Sequence, residues 1–246
     1  MIKRLLTLLF LCGGMHLSAQ TIRQEFVSIG APADVVDMDL PKPSAKGSTL
    51  IAMPGPISAG IKVTSVTDNK GDTFKEVPGA ASLAEGKSLQ IFYCENCNGE
   101  VTELKFHMSA FAKNGSINTL LEVADLAPST VLDGSGAEVS DGTATSDGFE
   151  VGPSLTTTAN DFVIARYSSA SPLPKSVSPA AWTYKTTHVY LQKSAPGTYQ
   201  PKLAGGKAGN KFSMSMAAFK AASPDAQAAN AQGTSSPGVG ARYFPH

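Results

Sequence analysis

Two cysteines three residues apart, in Cys94-Glu95-Asn96-Cys97, are the first place in this chain to look for chemistry. A redox pair needs a thiolate with a lowered pKa, usually supplied by a helix N-terminus. No helix is signalled here, and no proline separates the cysteines. Zinc needs four ligands. Only His107 and His188 within the folded region could complete such a set, and they would have to converge from other strands. The third reading is a structural disulfide, which an oxidising compartment favours. A ring this small adds about 1–2 kcal/mol at most.

Asp68, Asn69 and Asp72 form a second cluster. Oxygen ligands crowded in one loop are what calcium takes, and calcium is the only cofactor the sequence suggests. The spacing is not that of an EF-hand, and Asp, Asn and Gly are also the ordinary residues of a hairpin turn. Asp133, Asp141 and Asp147 make a looser set of the same kind. A third group is aromatic. Trp182 and Tyr184 lie two apart and share a side if the segment is extended, with Tyr190 and Gln192 on the following run. Paired flat rings can grip apolar sugar faces while Gln192, His188 and Lys185 orient the ligand. The competing role for Trp182, the single tryptophan, is core. Catalysis has no comparable support. No G-x-S-x-G elbow occurs, the histidines are few, and no pair of carboxylates is marked out.

The elements that position these residues read as strands. Ser88 to Met108 looks like a β-hairpin, with Leu89–Tyr93 entering a turn at Asn98-Gly99 and Val101–Met108 leaving it. In the second strand Leu104, Phe106 and Met108 alternate with Glu103, Lys105 and His107, one face apolar and one wet. Gln24–Ile29 and Val35–Leu40 read as strands, followed by the buried-type run Ser48–Met53. Ile61–Thr67 and Thr73–Val77 flank the Asp68–Asp72 turn. Asp161–Tyr167 is apolar on both faces, as a central strand should be, and Lys211–Lys220 alternates again. Trp182–Thr186 and Val189–Gln192 suit a hairpin. Short strands separated by turn residues, without a helical period, predict an all-β fold: a two-layer antiparallel β-sandwich, jelly-roll-like.

The order of these pieces resembles a group of secreted bacterial β-sandwich modules. The shared run is GSTLIAM, IKVTSVTDNKGDTFKEV, SLQIFYCENCNGEVTELKFHM, INTLLEVADL, TTTANDFVIARYSS and FSMSMAAFKAA, from roughly Ser48 to Ala222. That group carries a VSSVTD-x-x-GNTY hairpin, an IYYA-x-N-x-x-GG turn, a TTTANDL strand entry and a closing AAFRAA strand. The resemblance implies a jelly-roll-like module, found alone or beside other extracellular modules, with no catalytic residues to carry over. The chain departs from the pattern at Cys94 and Cys97, so no cysteine-based function is implied by it.

Residues 1–20 read as a cleavable Sec-type signal peptide. Lys3 and Arg4 precede the apolar run Leu5–Leu11, and Leu17-Ser18-Ala19 carry the small residues of a cleavage site. The apolar run falls short of the ~20 residues a membrane span needs. Lys3 and Arg4 leave with the leader, so 18 basic residues face 20 acidic ones, a net charge of −2. That balance argues against a nucleic-acid binder. Residues 21–222 would form the sandwich, and residues 223–246, rich in Ala, Ser, Pro and Gly, a disordered tail. The expectation is a secreted, periplasmic or cell-surface, non-catalytic module that binds polysaccharide or a surface protein. A self-associating adhesive role through open sheet edges is the alternative, and a secreted carbohydrate-active enzyme comes third.

Overall fold

The computed structural model describes residues 20–55, 60–82, 88–170 and 172–223. The leader, apart from Gln20, and the tail, apart from Ser223, lie outside the described residues. The first half of the chain forms β1 (Thr21–Gly30), β2 (Ala33–Asp39), β3 (Thr49–Met53), β4 (Val63–Asp68), β5 (Lys75–Glu76), β6 (Phe92–Cys94), β7 (Glu103–Ala112) and β8 (Ser116–Ala124). The second forms β9 (Ala137–Thr143), β10 (Glu150–Val151), β11 (Leu155–Thr157), β12 (Asp161–Ser169) and β13 (Ser176–Ser178). It ends with β14 (Thr183–Tyr184), β15 (His188–Ser194), β16 (Gly197–Tyr199), β17 (Lys202–Ala204) and β18 (Lys211–Lys220). No helix occurs among the described residues, and therefore none long and apolar enough to cross a membrane.

All pairings are antiparallel. A central sheet runs β1-β8-β3-β6-β5, and a three-stranded sheet runs β2-β7-β4. A second five-stranded sheet runs β14-β15-β12-β18-β9, with two small sheets, β10-β17-β13 and β11-β16. The chain is an all-β antiparallel sandwich, and its face-to-face stacking recurs. One core lies between the three-stranded and central sheets, built from Met38, Leu104 and Phe106 against Leu50, Ala52 and Leu120. A second lies between the two five-stranded sheets, where Ile51, Met53 and Leu121 meet Phe162, Ile164 and Phe219. A third lies between the second five-stranded sheet and the small ones, with Val163, Ala165 and Met216 against Leu155 and Leu203.

The two-residue period of a strand explains this directly. In β3, Leu50 and Ala52 enter the first core and Ile51 and Met53 the second, so all five residues are buried. In β12, Phe162 and Ile164 face one core while Val163, Ala165 and Tyr167 face another. Sheets covered on both faces have continuous apolar strands, the pattern read in Ser48–Met53 and Asp161–Tyr167.

The Ser88–Met108 hairpin is not formed. β6 pairs with β3 and β5 in the central sheet, whereas β7 pairs with β2 and β4 in the opposing one. The alternation of β7 stands, with Leu104, Phe106 and Met108 buried. What fails is the turn. The Asn98-Gly99 corner is fastened to the segment before β3: Gly47 N donates to Cys97 O at 2.9 Å, and Cys97 N to Ser48 O at 2.9 Å. At Gly99, with φ +84°, a Cβ would stand 2.6 Å from the backbone nitrogen of Lys46. The glycine there serves a close backbone approach that carries the chain from one sheet to the next. β7 and β8 likewise lie in different sheets, joined through Asn114-Gly115.

Candidate functional site

The aromatic group does not converge. In the register of β14 and β15, Thr183 faces Tyr190 and Tyr184 faces Val189. Cross-strand partners share a face, so Tyr184 and Tyr190 lie on opposite faces of the sheet. Trp182 is 6% exposed and belongs to the third core. Tyr184 is half-buried beside it, its hydroxyl donating to the Pro174 carbonyl. Tyr190 stacks on Phe162 and His188 at the second core. Gln192 is exposed, and its Nε2 donates to the Gln20 carbonyl at 3.3 Å. These rings present no shared flat platform, because the strand pairing that joins them also divides them.

The two polar clusters do converge. Asp68 Oδ1 accepts the backbone N–H groups of Lys70 and Asp72 at 2.8 and 3.1 Å, as a turn residue does. Asn69 is held to Thr102 in both directions. Asp72 accepts from the backbone N–H and Nδ2 of Asn98, which follows Cys97. Burial, and to a lesser degree the neighbouring Asp68 carboxylate, push the Asp72 carboxyl above its ordinary range. Cys94 and Cys97 are bonded to one another.

A feature absent from the sequence reading lies at the other end of the central sheet. Arg166 of β12 is 1% exposed, and strand alternation aims it at the central sheet. Its Nη1 donates to Thr187 O at 2.8 Å and Thr119 Oγ1 at 3.2 Å. Its Nη2 donates to Gly55 O at 2.7 Å and Ile117 O at 2.6 Å. Burial pulls the guanidinium down to about 10, so it stays charged through the neutral range. It therefore ties β8 to the turn between β14 and β15. Beside it His188, fully buried, shares a hydrogen bond between Nδ1 and Thr187 Oγ1 at 3.0 Å. Burial, followed by the positive charges of Arg166 and Lys185, drives the imidazole down to about 3. The 3.7 Å approach of His188 Nε2 to Glu25 is thus no ion pair at neutral pH. The ion pair is Lys185 to Glu25, 3.0 Å, a hydrogen bond that raises the lysine.

Over this anchored corner opens a groove of about 380 Å³. Its floor is Val27, Ile29 and Ile117, its wall Lys185, Thr186 and Thr187, and Glu25 closes one end. Ile29 is 82% exposed and faces Ile117 across the β1–β8 pair. The groove runs along β1, an edge strand of ten residues whose alternate backbone groups point away from β8. Among the described residues no strand pairs with that side. Natural sheet edges are usually blunted by charge, proline or a bulge. Arg23 and Glu25 do so at the start of β1, but Val27 to Ile29 carries no charge. Phe111 and Val35, also exposed, lie on β7 and β2 near the connections at the same end. The sequence could have flagged this edge, since Val27 and Ile29 alternate out of phase with Phe26, which is half-buried against the first core, but period alone does not say which phase is covered.

Comparison with protein-family models, with curated proteins and with solved structures finds no match to this chain.

Proposed function

We propose that this chain is an exported, non-catalytic β-sandwich module that binds an extended segment of a surface polypeptide along β1. The observation that carries the reading is the uncovered, largely apolar groove beside an unpaired strand edge whose Val27–Ile29 stretch carries no charge. An added strand would take its main-chain hydrogen bonds from β1 and place alternate side chains beside Val27 and Ile29. Arg166 prepays part of the ordering by fixing floor and wall to one another before a partner arrives. The resemblance to extracellular modules and the leader-like N-terminus support export. Polysaccharide draws less support than polypeptide, since the rings that would stack on sugars are divided between two faces of a sheet.

A peptide library displayed on phage and selected on the immobilised chain tests this. Enriched sequences are expected to alternate apolar residues, and Ile29→Asp is expected to weaken them at least about tenfold, a loss of ~1.4 kcal/mol. The same substitution should leave folding stability within about 0.5 kcal/mol, because the side chain is so exposed. Failure to select any peptide, or binding indifferent to Ile29→Asp, removes the reading. A dimer on size-exclusion chromatography that Ile29→Asp dissolves would instead assign the edge to self-association. A glycan array that captures the chain independently of Ile29 would return the role to polysaccharide.

A further inference from the structure

The turns 68–72 and 94–99, remote in sequence, build a cluster that the binding groove does not use. A carboxylate oxygen of Asp72 and the sulfurs of Cys94 and Cys97 all lie within 4.8 Å of one another. Asn98 holds Asp72 there through two hydrogen bonds, 3.1 Å from its backbone N–H and 2.7 Å from its Nδ2. Asp68 fixes the turn with Oδ1, while its Oδ2 is buried without a hydrogen-bond partner. Among the described residues no lysine or arginine pairs with either carboxylate. Cys94 and Cys97 are 3% and 1% exposed. The Asp72 carboxylate held beside two nearly buried sulfurs, with Asp68 in the same turn and no side-chain cation to balance them, is costly around a neutral disulfide and favourable around a cation.

We propose that when the Cys94–Cys97 bond is reduced, the two sulfurs and the Asp72 carboxylate bind one thiophilic divalent cation of the zinc class. Disulfide and metal are then alternative states of one site. A thiol or phosphine reductant supplies two electrons to the S–S bond, and two protons complete the thiols. The cation displaces both protons and takes two thiolates, one carboxylate oxygen and a water as fourth ligand. Neither histidine named in the sequence reading takes part. His107 is hydrogen-bonded to Thr67 on the three-stranded sheet, and His188 is sealed beside Arg166.

Cobalt(II) is the probe, titrated into the chain reduced with a phosphine and, separately, into the oxidised chain. One equivalent is expected to give a thiolate-to-cobalt charge-transfer band in the reduced chain alone, and zinc should bleach it. Cys97→Ser should abolish the band. Asp72→Asn keeps an oxygen facing Asn98, and so keeps the turn, but removes the charge. It should lower cobalt affinity at least about tenfold. Absence of the band in the reduced parent chain overturns the proposal. So does an Asp72→Asn affinity within about twofold of the parent, which would make the binding a property of the cysteines alone.

Discussion

Arg166→Met is expected to destabilise the fold by about 3–5 kcal/mol, a large share of the 5–15 kcal/mol that holds a typical domain. Exchanging a buried ion for an apolar side chain is often neutral when its partner is exchanged as well. Here that escape is closed. Three of the four acceptors are main-chain carbonyls, of Gly55, Ile117 and Thr187, and no substitution removes them. Gly55 O keeps the Ile117 N–H at 3.1 Å and Thr187 O the Tyr167 N–H at 3.4 Å, but all three carbonyls lose a bond from a charged donor, at about 1.5–3 kcal/mol each before relaxation. Arg166→Lys should recover only part of the loss, since an ammonium gives three donors from one point where the guanidinium spreads a planar fork. Urea unfolding of the three proteins provides the measurement. Amide exchange is expected to quicken at 185–187 and at the start of β8, because Arg166 joins the wall of the groove to its floor. A loss under about 1 kcal/mol for Arg166→Met would show that water or a neighbour replaces the guanidinium, and would remove the claim that this residue shapes the site.

Arg166 also shows where sequence reading stops. Asp161–Tyr167 is legible as a central strand because five of its seven residues, Phe162 to Ala165 and Tyr167, suit a strand covered on both faces. Its one cation is then an anomaly that only the partner sheet can resolve. The same holds for β3 and β7. Their faces follow from period two, yet the sheet each joins is decided by contacts distant in sequence. Asn98-Gly99 carries the local signature of a tight hairpin, and the backbone of Lys46, from elsewhere in the chain, overrides it. The approach of Asp72 to Cys94 and Cys97 was hidden for the same reason. Both turns were legible, but not that β4 and β6, which lie in different sheets, bring their ends together. Trp182 and Tyr184 went the other way, since spacing gave them a common side and packing turned that side inward.

The contribution of Asp161 to stability is expected to fall as the pH rises from about 4 to 8, and Asp161→Asn is expected to abolish that fall. Asp161 opens β12, fully buried, and neither carboxylate oxygen has a hydrogen-bond donor. Its neighbour Asp133 is already committed as an anion. It accepts from Thr158 N at 2.5 Å, Thr158 Oγ1 at 2.6 Å and Ala159 N at 3.3 Å, with Lys220 Nζ 3.8 Å away. Burial works to raise Asp133, but these hydrogen bonds outweigh it and hold the carboxyl below its ordinary value. Burial, and then the proximity of anionic Asp133, raise Asp161 from 3.8 to about 8. A protonated Asp161 becomes the donor that its geometry otherwise lacks, hydrogen-bonded to Asp133. Between those two values the folded chain keeps a proton that the unfolded chain has released. The stabilisation from Asp161 is therefore complete below pH 4, declines through the interval and is gone above pH 8. Asp133 has the opposite sign, losing its contribution as the pH drops through its lowered pKa, and so does buried His188, whose contribution is lost as the pH falls from about 6.5 toward 3, so the Asp161 effect stands unopposed by the imidazole above about pH 6.5. At about 1.4 kcal/mol per unit the shift sets a ceiling near 6 kcal/mol; with Lys220 nearby to favour the ionised form, about 2–4 kcal/mol should be observed. Asparagine at 161 carries a permanent donor, so the variant should be more stable than the parent at pH 8–9 and nearly level with it at pH 5. Urea midpoints from pH 5 to 9 for both proteins isolate the effect as their difference. Parallel curves would mean that Asp161 is ionised throughout and that the two carboxylates do not share a proton.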